Sequence, residues 1–129
     1  MARITASAPI LLVEDVSVSA SWYRDKLGFY EVELYGSPVN FAIVRRDGHA
    51  VMFQQANPAV IIPNWKVAPK TSNVFFWVDD ANALYEEFVR RGATIDYEPY
   101  IAPWGGLEFG INDSDGYDIS FAQILKLTD

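Results

Sequence analysis

Apolar and polar positions along the chain run twice through the same order of elements. Pro9–Val13 is a short apolar run that predicts a buried strand. Asp15 then suits an N-cap, because its carboxylate can accept orphan amide hydrogens of the following turn. Ala20, Tyr23 and Leu27 recur at helical spacing, and Gly28 fits the position just past a helix, where φ becomes positive. Phe29–Leu34 alternates like a strand, and a turn follows at Gly36–Pro38. Val39–Val44 and Ala50–Gln54 predict a hairpin across Arg46-Asp47-Gly48.

Residues 57–71 break this rhythm. Pro58, Pro63 and Pro69 fall among apolar residues with no sustained period, which predicts an irregular connector with Trp65 docked on neighbouring structure. The order then restarts. Val74–Val78 predicts a strand, Asp80 an N-cap, Ala81, Leu84 and Phe88 a helical face, and Gly92 the helix end. Thr94–Tyr97, Leu107–Ile111 and Tyr117–Gln123 read as strands, the last entered through the turn Asn112-Asp113-Ser114-Asp115-Gly116. Gly28 lies thirteen positions after Asp15, and Gly92 twelve positions after Asp80. This is an internal duplication of strand, helix and three strands, with half-modules at about 6–56 and 72–125. One copy alone would expose an apolar sheet face, so the two are expected to form one α+β domain over residues 1–129.

Composition narrows the chemistry. The chain has 129 residues, and aromatics make up 15% of them, enough to fill a core, line a pocket or form an interface. It has no cysteine, which excludes disulfides, thiolate metal sites and cysteine nucleophiles. No stretch approaches the ~18 apolar residues needed to span a membrane, and Met1–Ile10 lacks the long apolar run of a signal peptide. A cytoplasmic location is the expectation. The formal net charge of −7 argues against nucleic acid, which needs a basic stripe, and would steer cationic ligands towards the protein.

Pro9-Ile10-Leu11-Leu12-Val13-Glu14-Asp15, followed by Trp22-Tyr23-Arg24-Asp25-Lys26-Leu27-Gly28-Phe29, resembles the opening of the vicinal oxygen chelate superfamily. That superfamily includes glyoxalases, extradiol dioxygenases, fosfomycin-modifying enzymes and bleomycin-resistance proteins. Trp104-Gly105-Gly106-Leu107-Glu108-Phe109 and Asp113-Ser114-Asp115-Gly116-Tyr117 resemble its usual ending. The resemblance implies two βαβββ modules forming a curved mixed sheet around a cleft, often paired across a homodimer. In the enzymes of this superfamily one divalent metal sits in the cleft. Carried over by position, its ligands would fall at Ala8, Met52, Asn73 and Ser120. That set is poor: one residue has no donor, one offers a soft thioether, and two are neutral oxygen donors. Gln54 shares a strand face with Met52 and adds only an amide. No metal and no cofactor are expected.

Outside those positions, His49 is the single histidine and follows a hairpin turn, where a solvated role is expected. The Asp113–Gly116 stretch resembles part of a calcium loop but lacks the later Glu, and reads better as a turn whose aspartates bond local backbone. Gly105-Gly106 would allow backbone to approach a ligand or partner closely. Glu108 lies on a strand between Leu107 and Phe109, and alternation aims it at the cleft if those two face the helices. Asn73, Phe75 and Trp77 share a face, and Tyr100 and Trp104 precede the penultimate strand near the cleft mouth.

The candidate ligand-binding residues are therefore Met52, Gln54, Asn73, Phe75, Trp77, Tyr100, Trp104, Glu108 and Ser120, with no catalytic residue among them. They point to a metal-independent small-molecule binding protein resembling bleomycin-resistance proteins, which sequesters an aromatic or cationic compound in a homodimer cleft. The alternative is a glyoxalase-like lyase, isomerase or dioxygenase with an unconventional or absent metal site. A third reading is an obligate dimer whose aromatics are buried at the interface.

Overall fold

The computed structural model describes residues 1–125. Contacts divide the chain into two compact units, Met1–Ile61 and a second that begins at Ile62. Each unit builds its own four-stranded mixed sheet, so the mixed sheet that the resemblance implies is realised as two sheets, one per module.

In the first unit, β1 (Ile10–Val13) leads to α1 (Val16–Leu27), then to β2 (Glu31–Tyr35), β3 (Phe41–Arg46) and β4 (His49–Gln55). The sheet order is β1-β4-β3-β2, with β1 parallel to β4 and the other pairs antiparallel. Asp15 caps α1 by accepting the Val18 amide at 3.1 Å, and Gly28 ends it at φ 72°. Leu11, Val13, Ala42, Val44, Val51 and Phe53 point to the helix side, where Tyr23 of α1 meets Phe53 and Phe29 edge to face. The opposite face carries Ile10, Ile43 and Met52 in register.

The second unit starts with a 3₁₀-free stretch that includes the short α2 (Asn64–Val67), then repeats the order as β5 (Val74–Trp77), α3 (Ala81–Arg91), β6 (Thr94–Ile101), β7 (Gly106–Asn112) and β8 (Asp118–Ile124). Its sheet order, β5-β8-β7-β6, copies the first. Asp80 caps α3 through the Ala83 amide at 3.0 Å, and Gly92 ends it at φ 78°. The core is largely aromatic: Phe121 stacks on Phe109 and Phe76, and Phe88 of α3 packs edge-on against Phe109 and Phe121. Because side chains alternate, filling this face with Phe76, Phe109 and Phe121 turns Phe75, Trp77, Glu108 and Ser120 to the other one.

The connector is less irregular than its prolines predict. It forms a single 3₁₀ turn at Pro58–Val60 and then α2, and Trp65 docks by donating its Nε1 hydrogen to the Gly116 carbonyl at 2.7 Å. β6 is longer than Thr94–Tyr97, running on to Ile101 through register shifts on either side of Tyr97. Among the described residues, no helix is long and apolar enough to cross a membrane.

Candidate functional site

The helix-free face of the second sheet gathers most of the chemistry. β5 presents Phe75 and Trp77, whose ring centroids are 4.9 Å apart. Trp104, on the loop before β7, closes the group at 5.2 Å from Trp77 and 6.2 Å from Phe75. Trp77 is 61% exposed, Trp104 48% and Phe75 38%, so these rings form an open wall and not a filled core. Two glycines make room for rings on the sheet. A Cβ at Gly106 would collide with the Trp104 indole, and one at Gly110 with the Tyr97 ring. The freedom at Gly106 thus serves Trp104 of the same chain, which is a simpler role than close approach of an outside molecule.

Glu108 links this wall to a polar network. Its carboxylate accepts from the Tyr97 hydroxyl at 2.6 Å and from the Trp104 Nε1 hydrogen at 3.3 Å. Tyr97 spends its one hydroxyl hydrogen on Glu108, so at 2.8 Å Ser120 Oγ is the donor to Tyr97. Burial, and then the bond to Glu108, raise the Tyr97 phenol well above its ordinary range. Tyr97 therefore stays protonated and does not serve as a base at neutral pH.

Beside the network lies a cavity of about 680 Å³. Trp65 and Lys70 of the connector line one part of it, and Asp96, Tyr97, Glu98 and Tyr100 of β6 another. β7 contributes Glu108 and Asn112, and β8 contributes Asp118 and Ser120. The register shifts in β6 explain how neighbours such as Asp96 and Tyr97 reach one cavity, since bulges re-aim side chains that strict alternation would separate. Four carboxyl groups thus face one lysine ammonium. Asp118 is only 6% exposed, and its Oδ1 has no hydrogen-bond partner. Burial first, then hydrogen bonding with Asp96 and the charges of Asp96 and Glu108, push its carboxyl up to about 7.

The structure brings together six of the nine candidate residues. Tyr100, Glu108 and Ser120 line the cavity, and Phe75, Trp77 and Trp104 form the wall next to it. Asn73 sits at the start of β5, but its Oδ1 accepts the Asn64 amide at 2.8 Å and so helps to place the connector. Met52 and Gln54 belong to the first unit, where Met52 sits in an apolar row and Gln54 Nε2 bonds the Asn40 carbonyl at 3.2 Å. The positions that correspond to metal ligands do not fit a divalent ion. Ala8 has no donor, Asn73 Oδ1 and Ser120 Oγ are committed to protein partners, and among the described residues no His, Cys, Asp and Glu cluster has metal-ligand form.

Asp96, Tyr97 and Asp118 were not among the residues singled out from sequence. Asp118 carried a usable signal, an acid followed by the mostly apolar stretch Ile119–Ala122, because a carboxyl group in a buried strand calls for a reason. Asp96 and Tyr97 had none, because an uninterrupted alternation cannot anticipate the bulges.

Comparison with known proteins agrees with this architecture. The family model for the Glyoxalase/Bleomycin resistance protein/Dioxygenase superfamily matches residues 3–121. A bleomycin-binding protein from bleomycin-producing Streptomyces verticillus, solved with copper(II)-bleomycin, is 26% identical, with a TM-score of 0.73 over 98% of this chain and 100% of that one. A glyoxalase-related enzyme from Clostridium phytofermentans is 15% identical, with a TM-score of 0.77 over 96% and 98%. TnmS3, an antibiotic binding protein from Streptomyces sp. CB03234, is 19% identical, with a TM-score of 0.73 over 97% and 99%. No curated protein sequence matches the chain. With the family model spanning both duplicated modules, the chain belongs to the glyoxalase/bleomycin resistance protein/dioxygenase superfamily.

Proposed function

We propose that this chain is a non-catalytic small-molecule binding protein that holds an aromatic compound carrying positive charge, and that it does so as a homodimer. The observation that carries the reading is the exposed Phe75–Trp77–Trp104 wall beside a cavity with four carboxyl groups and one lysine. Exposed apolar clusters of this kind mark interaction sites. Flat rings stack on conjugated ligands, and a cation over an indole gains roughly 0.5–2 kcal/mol. The acidic cavity supplies the complementary field.

The two polar groups nearest the wall are engaged with one another and not poised as bases. The Glu108 carboxylate already accepts two hydrogen bonds, and Tyr97 holds its proton. The donor set does not suit a divalent metal. The bleomycin-binding protein and the antibiotic binding protein TnmS3 lend support through shared fold and, for the first, 26% identity.

The test is a thermal-shift series with Zn, Ni, Mn, Co and Fe(II) on metal-stripped protein, beside a titration with 2-naphthylmethylammonium. A ligand of the native state raises the melting temperature by mass action. The naphthyl cation should produce a shift, the metals none, and Trp77→Ala and Trp104→Ala should each weaken the cation without unfolding the protein. A stoichiometric metal with a clear shift would overturn the reading in favour of a metalloenzyme. Tryptophans inaccessible to a soluble quencher in the dimer would favour a scaffold with buried rings.

A further inference from the structure

The wall accounts for the rings of such a ligand, but not for how its positive end is told from a neutral one. The connector brings a further indole to the cavity, that of Trp65. Trp65 belongs to α2, a single helical turn too short to hold itself together. It is held from outside instead. Its Nε1 hydrogen goes to the Gly116 carbonyl at 2.7 Å, in the turn before β8. The preceding residue, Asn64, is tied to the entry of β5: its amide donates to Asn73 Oδ1 at 2.8 Å, and its Nδ2 donates to the Ser72 carbonyl at 3.3 Å. The ring is thus in place before a ligand arrives, which removes an ordering cost from binding.

With its one polar hydrogen spent on backbone, the Trp65 indole offers a ligand its π face and no hydrogen bond. That ring already takes a cation of the chain itself: the Lys66 ammonium lies 5.5 Å from its centroid. Lys66 does not line the cavity, so it meets the ring from outside and leaves the cavity side of the indole open. The carboxyl groups around the same volume attract positive charge from a distance, but such a field fixes no pose. A ring held at both ends does. We infer that Trp65 is a specificity-determining residue, whose cavity-side face receives the organic ammonium group of the ligand. This rests on the small-molecule binding reading above and adds which side chain distinguishes a cation from its neutral counterpart. It also gives Asn73 a role in binding at one remove, since its side chain positions the turn that carries the ring.

The experiment is isothermal titration calorimetry with 2-naphthylmethylammonium and its neutral counterpart 2-naphthalenemethanol, read as the ratio of their affinities. Wild type should prefer the ammonium, and Trp65→Leu should cut that preference about fivefold by weakening the ammonium alone. Trp65→Phe, which keeps an aromatic face, should retain most of it. Trp77→Ala should weaken both probes and leave the ratio where it was. Asn73→Ala alters no side chain that lines the cavity but unties the connector, so it should lower the ratio in the same direction as Trp65→Leu. That variant keeps the test decisive if Trp65→Leu does not fold. An unchanged ratio in Trp65→Leu, or in Asn73→Ala where the first does not fold, would overturn the inference while sparing the binding reading. An equal loss of both probes would do the same, because it makes Trp65 structural. A wild type that binds the two probes equally would overturn the inference and leave only the aromatic part of the reading. Failure of both probes on wild type would overturn the two together.

Discussion

The Trp104 indole covers Gly106 so closely that a Cβ on residue 106 would overlap ring atom Cη2. No ring carbon tolerates that overlap, so Gly106→Ala must push the indole off the sheet. The ring is half-exposed and sits on a loop, so it can swing away at little cost to the fold. We expect a stability change within about 1 kcal/mol, a red-shifted tryptophan emission, and several-fold weaker binding of 2-naphthylmethylammonium. An unchanged emission spectrum would mean that the ring does not rest there.

Tyr97 is held more firmly, between Gly110 below it and Glu108 and Ser120 at its hydroxyl. Tyr97→Phe keeps the ring and removes the hydroxyl. Glu108 then retains only the longer bond from Trp104, and Ser120 loses its acceptor. Leaving such part-buried groups short of a partner costs about 1–3 kcal/mol. Urea unfolding should show that loss with an unchanged m-value, and a loss below about 0.5 kcal/mol would place the hydroxyl in solvent instead.

Asp118 makes stability depend on pH in the direction opposite to a salt-bridged carboxylate. Its folded-state carboxyl is raised, so between about pH 4 and about pH 7 the folded chain holds a proton that the unfolded chain has released. Stability should therefore fall as pH rises through that window, by at most roughly 1.4 kcal/mol per pH unit, and level off above it. Asp118→Asn should remove this component, so that the difference between wild type and variant changes with pH only inside the window. Parallel unfolding profiles for the two proteins from about pH 4.5 to about pH 8 would show that Asp118 titrates normally.

The duplication was legible because the signals that punctuate it are local. Asp15 and Asp80 cap helices through amides three residues on, and Gly28 and Gly92 end them in the left-handed region that an L side chain resists. The aromatic wall was legible through alternation, since Phe76 in the core implies Phe75 and Trp77 outside it. What escaped depends on contacts distant in sequence. The register shifts that bring Asp96 and Tyr97 to one cavity arise from the pairing of β6 with β7, and no periodicity of β6 alone contains them. Asn73 shows the converse: its position was found by counting, but its side chain serves the backbone of Asn64.

The turn before β8 holds an acid whose role is structural. Asp113 is buried, and its Oδ1 accepts the amides of Asp115 at 3.0 Å and Tyr117 at 2.9 Å. Those two bonds fold the loop back on itself and fix the point where β8 begins, next to the Gly116 carbonyl that anchors Trp65. An oxygen committed to two backbone donors has little left to offer a hard cation, which prefers six or more oxygen ligands. Calcium at millimolar concentration should therefore leave the melting temperature unchanged. Asp113→Ala should cost about 1–3 kcal/mol by orphaning both amides, whereas Asp113→Asn, which keeps an acceptor oxygen in place, should recover most of that loss. A calcium-dependent rise in melting temperature that disappears in Asp113→Asn would show that the loop binds the ion and that its charge, not its hydrogen bonds, explains the acid.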